Sequence, residues 1–244
     1  MIGFLSALQF LTVIPLRIKN IDEHKLANAL IYFPLVGLLI GLILAGLSRA
    51  LFAMHFFELT TAAVLVVALA VITGGMHLDG LSDTFDAAMS GKDKERCLEI
   101  MRDPHSGAMG VISIVCVLLL KVVFIFSLSP RDLPVALVLM CVLSRWSLVE
   151  AMFFFPYARS EGKAKIFTSN INFRILLLAT SIALIFAMLA LRMKGLLLFI
   201  IAGLGTWLFS KLISRKIGGI TGDTLGALNE LIEVVVLFSI CILK

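Results

Sequence analysis

Gly74-Gly75-Met76-His77-Leu78-Asp79-Gly80-Leu81-Ser82-Asp83-Thr84-Phe85-Asp86 closes an apolar run with a stripe of three acids. At about 100° per residue, Asp79, Asp83 and Asp86 fall within roughly 60° of one another on a helix. Like charges at such spacings repel by roughly 0.2–0.5 kcal/mol per pair in water, and by more beside lipid. No Lys or Arg occurs between Arg49 and Lys92, so no local cation balances the stripe. A divalent cation would. The alternative is a solvated helix face at a membrane boundary, and the missing basic partners count against it.

Of the 244 residues, 60% are hydrophobic and only 15% charged, against about a quarter charged in soluble domains. The composition predicts an all-α, polytopic integral membrane bundle forming one domain over residues 1–244. Seven segments approach the roughly 20 apolar residues a crossing needs. They are Ala29–Phe52, Leu59–Met76, Gly107–Leu128, Leu133–Phe155, Ile175–Leu191, Gly195–Ile213 and Leu225–Leu243. The runs are continuous and lack period-two alternation, which disfavours strands. The first fifteen residues have no basic n-region and no small-residue cleavage site, so they are expected to form a short interfacial helix ending at Pro15 rather than a removable signal. Cys116, Cys141 and Cys241 lie in apolar runs and Cys97 stands alone in a polar stretch, a pattern with neither metal spacing nor a disulfide framework. The net charge of +5 does not call for nucleic acid, because membrane proteins concentrate Lys and Arg in cytoplasmic loops.

The basic residues orient the bundle. With the N-terminus inside, fourteen lie on the inner side: Arg17, Lys19, Lys25, Lys92, Lys94, Arg96, Arg102, Arg159, Lys163, Lys165, Arg174, Lys211, Arg215 and Lys216. Five lie outside (Arg49, Arg131, Arg192, Lys194, Lys244), and Lys121 and Arg145 remain in the membrane. The asymmetry predicts N-in, C-out. Two loops, about 74–106 and 214–226, then share the cytoplasmic face.

In the first loop, Lys92 to Arg102 reads as a short amphipathic helix whose Lys92, Arg96 and Arg102 offer charge to phosphate oxygens; positive-inside topology is the plainer role for Lys92, Lys94 and Arg96. Asp103 is expected to cap the next helix with Pro104 at its first position. Gly107 and Gly110 would let an anion approach that helix start. The second loop, Gly218-Gly219-Ile220-Thr221-Gly222-Asp223-Thr224-Leu225-Gly226-Ala227, adds hydroxyls and another carboxylate. Both loops share a Gly-Gly-x-x-x-Asp spacing. Lys121, Arg145, Glu150, Glu230 and Glu233 are costly in lipid and should pair inside the bundle or face a wet cavity. Asn229 and Glu230 are expected to floor the cavity of Asp223; a structural Arg145–Glu150 pair is a further expectation.

Carboxylates beside phosphate-binding features suggest Mg²⁺, which is usually held by one or two carboxylates together with substrate phosphates. Asp79, Asp83, Asp86 and Asp223 are the candidate ligands. A remaining Asp, or His77, would accept a proton from an attacking hydroxyl, although a His at a span end also serves structure. From the residues alone, the chain reads as a phosphotransferase at the inner membrane face.

The acidic stretch resembles the signature of cobalamin synthase, the adenosylcobinamide-GDP ribazoletransferase family. Leu8-Gln9-Phe10-Leu11-Thr12-Val13-Ile14-Pro15, Phe33-Pro34-Leu35-Val36-Gly37 followed by Gly41, Leu98-Glu99-Ile100-Met101-Arg102-Asp103-Pro104 and Gly218–Ala227 agree in matching order along the chain. Two departures stand out: Ala87-Ala88-Met89-Ser90-Gly91 replaces a Gly-rich continuation, and His105 stands where Arg is usual. The resemblance implies that a ribose hydroxyl of α-ribazole or its 5′-phosphate attacks the cobinamide-linked phosphorus of adenosylcobinamide-GDP, releasing GMP. Carried onto the matching positions, it implies Mg²⁺ at Asp79, Asp83, Asp86 and Asp223, Asp86 before His77 as base, and a phosphate contact at Arg102; Lys92, Arg96, Gly107, Thr221, Gly222, Asn229 and Glu230 are the further substrate-contact candidates that the residues themselves suggest. It also implies a prokaryotic inner-membrane location. A homo-oligomer and other nucleotide-loop assembly enzymes are candidate partners beside the lipid bilayer.

Two other classes compete. A CDP-alcohol phosphotransferase shares the chemistry, but only Asp79-Gly80 of its signature is present. A cation transporter would place its acids near the midplane on broken helices.

Overall fold

The computed structural model describes residues 2–15 and 27–243. Arg17, Lys19, Lys25 and Lys244 of the orientation count lie outside the described residues. The described chain is a helical bundle without strands. Its helices are α1 (Ile2–Leu11), α2 (Phe33–Ala53, led by a 3-10 turn, Asn28–Tyr32), α3 (Glu58–Ile72), α4 (Met76–Met89), α5 (Lys94–Ile100) and α6 (Ala108–Phe126). They continue with α7 (Leu133–Phe154), α8 (Lys163–Asn170), α9 (Phe173–Leu191), α10 (Met193–Ile217) and α11 (Gly222–Ile242).

α2 with its lead turn, α6, α7, α9, α10 and α11 are each long and apolar enough to cross a membrane. This is a polytopic helical membrane protein. A seventh crossing is counted when α3 and α4 are taken together as one span broken by a bend of 89°. α3 supplies its apolar part, about 22 Å at 1.5 Å per residue, and α4 leaves the crossing.

The bend corrects the expected boundaries. The second span stops at Ile72 rather than Met76, and the stretch expected as a loop opens with a 14-residue helix. Gly74 (φ 63°) and Gly75 (φ 68°) take the left-handed conformation that ends helices, and Gly75 N donates to Ala70 O at 2.9 Å. The second expected loop also shrinks, because α10 runs to Ile217 and α11 begins at Gly222.

Successive passes alternate, so the ends of α3, α7 and α10 and the starts of α6 and α11 gather at one end of the bundle. Cross-links there confirm it. Val13 N donates to Ile72 O at 2.9 Å, and Ala158 N to Ile220 O at 2.8 Å. Lys216 Nζ donates to Ala88 O at 2.7 Å. α1 does more than lie at an interface: Ala7, Leu8 and Leu11 are buried, and Phe10 packs on Phe33 and Phe167.

α7 is the central post, with every residue from Leu139 to Val149 buried, Ser144, Arg145 and Ser147 among them. α2 lies close against it, because Gly37 and Gly41 have no side chain; a Cβ would come within 2.3 Å of Cys141 O and 2.6 Å of Val138 Cα.

The buried charges pair across helices. Lys121 on α6 bonds Glu230 on α11 at 2.6 Å and also reaches Glu233, which Arg145 on α7 engages from the other side. Arg145 therefore does not pair with Glu150, whose Oε2 is buried without a hydrogen-bond partner. A spacing of five puts Arg145 and Glu150 on different faces of α7. Removing one member of a buried ion pair typically costs about 3–5 kcal/mol. Lys121→Met should therefore lower unfolding stability in detergent by about that amount, with partial recovery on adding Glu230→Gln; chemical unfolding followed by tryptophan fluorescence measures both.

Candidate active site

α4 lies across the starts of α11 and α6, and three glycine contacts set its place. Gly80 rests against the backbone of Asp223, where a Cβ would be 2.6 Å from the carbonyl oxygen. Gly226 meets the backbone of His77 and Gly80 at 3.2 and 3.3 Å by the same test. This crossing brings Asp79 and Asp83 on α4 beside Asp223 in the first turn of α11. The third contact is at α6, where the Asp86 carboxylate accepts from Gly107 N at 2.6 Å and Gly110 N at 2.8 Å. A Cβ at either glycine would strike that carboxylate. The helix start thus holds an anion, but the anion is Asp86 itself.

That arrangement changes the expected cap. Gly107, not Asp103, precedes α6, and α6 begins at Ala108 rather than Pro104. Asp103 instead accepts from His105 N at 3.0 Å and faces His105 Nδ1 at 2.6 Å. The capping charge comes from another helix.

Asp79 is exposed and lines a cavity of about 270 Å³ together with His77, Gly222, Asp223 and Arg159. Thr221 is the buried N-cap of α11, closing a capping box with Thr224. Asp223 pairs with Arg159 at 2.7 Å. Arg159 was not among the expected site residues. Its place depends on a bridge between Tyr157 and Ile220 that ties the segment after α7 to the segment before α11.

His77 is buried, with Nδ1 3.2 Å from the amide nitrogen of Asn229, which also donates to Glu233 Oε1 at 3.0 Å. An amide nitrogen only donates, so Nδ1 accepts and the imidazole is neutral. Asn229 lies behind His77 rather than on the cavity wall, and Glu230 is committed to Lys121. Arg102, Lys92 and Arg96 are exposed at this end, Arg96 being paired with Glu99 at 2.6 Å. α5 is pinned beneath them by buried Cys97, whose thiol donates to Ala87 O, and by Met101 packed on Ile213 and Ile217.

Four acids therefore meet at one end of the bundle, and they interact. Burial, then Asp79, Asp223 and Asp86, push the carboxyl of Asp83 up to about 7 from 3.8, against the pull of Arg159. Among the described residues no three Asp, Glu, His or Cys side chains converge on one point. The donors are hard carboxylate oxygens, and Mg²⁺ needs only one or two of them when phosphate oxygens and waters complete its shell. The donor set fits such an ion.

A family model described as cobalamin-5-phosphate synthase matches residues 3–241. The chain belongs to this family. It is similar to proteins named adenosylcobinamide-GDP ribazoletransferase from Desulforamulus reducens (41% identical, covering 96% of this chain and 94% of that one) and Fusobacterium nucleatum (38%, 97% and 95%). A third, from Pseudomonas savastanoi pv. phaseolicola, is 35% identical over the full length of both. No solved structure matches significantly. The resemblance read from the sequence is shown, and the protein is a transferase of cobalamin synthesis. The acids gather at the end of the bundle, unlike the midplane acids of the transporter alternative.

The raised value of Asp83 carries a sign. A carboxyl whose folded value exceeds its unfolded one opposes folding once ionised, so its contribution is lost as pH rises from 3.8 through about 7. In metal-free protein, Asp83→Asn should raise Tm at about pH 8 and leave it unchanged at about pH 3, as thermal melts in detergent at the two pH values will show.

Proposed function

We propose that the protein transfers the adenosylcobinamide-phosphate group from adenosylcobinamide-GDP to α-ribazole or α-ribazole 5′-phosphate, with GMP leaving. The reaction runs in one catalytic domain at the cytoplasmic face of the prokaryotic inner membrane. The observation that carries this reading is the crossing of α4 over α11, which sets Asp79 and Asp223 on the wall of one cavity and brings Asp83 close to both. Asp83 and Asp223 would hold Mg²⁺ together with the substrate diphosphate, the one or two carboxylates such an ion needs. When bound, the metal stabilises charge developing on the diphosphate oxygens.

The side chains divide the remaining work. Asp86, fixed by Gly107 and Gly110, sets the register of the acidic helix. Arg159 lies against Asp223, with a buried Nε that lacks a hydrogen-bond partner and suits a phosphate or sugar oxygen. The attacking hydroxyl passes its proton to a carboxylate. Asp79 suits this better than Asp86 or His77, because it is exposed at the cavity. Both oxygens of Asp86 already accept backbone N–H bonds, and Nδ1 of His77 is taken by Asn229. Arg102, Lys92 and Arg96 supply positive charge at the same end for the incoming anions.

Purified protein incubated in detergent with Mg²⁺, adenosylcobinamide-GDP and α-ribazole should release GMP, and chelation should stop it. Losing a few kcal/mol of metal stabilisation, Asp83→Asn should lower kcat by about 100-fold or more while the protein stays folded. Absence of GMP from the wild type, or near-normal turnover by the variant, overturns the reading.

A further inference from the structure

The cavity beside the acids has a lining of two kinds. Asp79, Asp223 and Arg159 are charged. Phe10 of α1, Leu148 and Met152 of α7 and Leu225 of α11 belong to the apolar core and make the apolar end of the lining. The aliphatic walls are fixed: Leu148, Met152 and Leu225 are 2%, 1% and 5% exposed. Phe10 is held by ring contacts with Phe33 and Phe167 at 5.8 and 4.7 Å. The segment from Tyr157 to Ala164 closes one side, anchored by the Tyr157–Ile220 bridge.

From this we infer that the apolar end is the base pocket of the acceptor: it takes the flat, largely apolar bicyclic ring of a nucleoside and leaves the sugar hydroxyls beside Asp79 and Asp223. The inference rests on the proposed transfer and adds which substrate enters here. Size is the first reason. A cavity of about 270 Å³ falls just under the range of about 300 to 1,000 Å³ that buries drug-sized ligands, too small for a corrin macrocycle and suited to a flat ring whose sugar stays at the mouth. Polarity is the second. Guanine, the base of the donor, would set its ring donors and acceptors against Leu148, Met152 and Leu225, which offer no partners. A largely apolar bicyclic ring, with a single ring-nitrogen acceptor, gives up far fewer hydrogen bonds there and gains its area burial. Position is the third, since a sugar joined to a ring so placed emerges at the carboxylates, where the hydroxyl must lose its proton.

Met152→Phe, which narrows the apolar end, is the test, with steady-state kinetics in both substrates. The acceptor KM should rise by about tenfold, the scale of selectivity a methylene or two imposes on an apolar pocket, while the KM for adenosylcobinamide-GDP stays within about twofold. Met152→Ala covers the case in which the larger side chain prevents folding: it widens the pocket and should improve the relative use of a nucleoside with a bulkier ring. A rise in the donor KM alone, equal rises in both, or an unchanged acceptor KM overturns the inference. Should the wild type release no GMP, the proposed transfer has failed rather than the pocket. Calorimetric titration with α-ribazole, weakened by Met152→Phe and blind to GMP, then decides the pocket separately, and no binding to the wild type overturns it.

Discussion

Gly80 and Gly226 let two helix backbones touch, and the gathering of the acids depends on that touch. A side chain at either position would part α4 from α11 and draw Asp79 and Asp83 away from Asp223. The close approach sets like charges together, which is unfavourable on its own. The acidic helix therefore has to be held by contacts that do not involve the acids. Buried apolar residues do part of this, with Leu81 packed between α6 and α11 against Val117 and Ala227. Asp86 on the start of α6 does another part, anchoring the far end of the helix.

Beneath that crossing, charge is used again in a different way. Lys121, Arg145, Glu230 and Glu233 join α6, α7 and α11 inside the membrane, and Asn229 extends the chain of contacts to His77 on α4. Two cations meet two anions, so the group is neutral as a whole and tolerable in low dielectric. Apolar side chains of similar volume would serve stability as well. What ions and amides add is register: each helix must sit at one height for the bonds to form. The network thereby ties the height of α4 to three spans.

The sequence was most legible where water and lipid alone decide the outcome. Hydropathy located the spans to within a few residues, because a crossing must be long and apolar. The 89° bend was less legible: Gly74-Gly75 reads equally as a loop, and only packing shows that a helix resumes directly after it. Gly107 and Gly110 suggest an approach for a substrate anion, whereas the structure sets the Asp86 carboxylate there. Arg159 escaped notice because its function depends on the pairing of Tyr157 with Ile220, residues far apart in the chain. Its one trace was a basic residue soon after Pro156, at the break that ends α7. Glu230 is expected at the cavity floor because it lies about two turns beyond Asp223; Lys121, on the neighbouring α6, engages it instead.

The remaining charge can be followed acid by acid. Asp86 faces a helix start worth roughly half a positive charge and two backbone donors. Asp223 has Arg159. Asp79 and Asp83 have no ion-pair partner among the described residues, and burial first, then the neighbouring acids, raise the carboxyl of Asp83. Hard oxygen donors with excess negative charge, beside a cavity, are what one divalent cation would offset. A phosphate entering without a metal would add to the repulsion, whereas a metal-bound diphosphate relieves it. The electrostatics therefore favour metal and diphosphate arriving together, and leave the apolar end of the cavity to a substrate part that carries no charge.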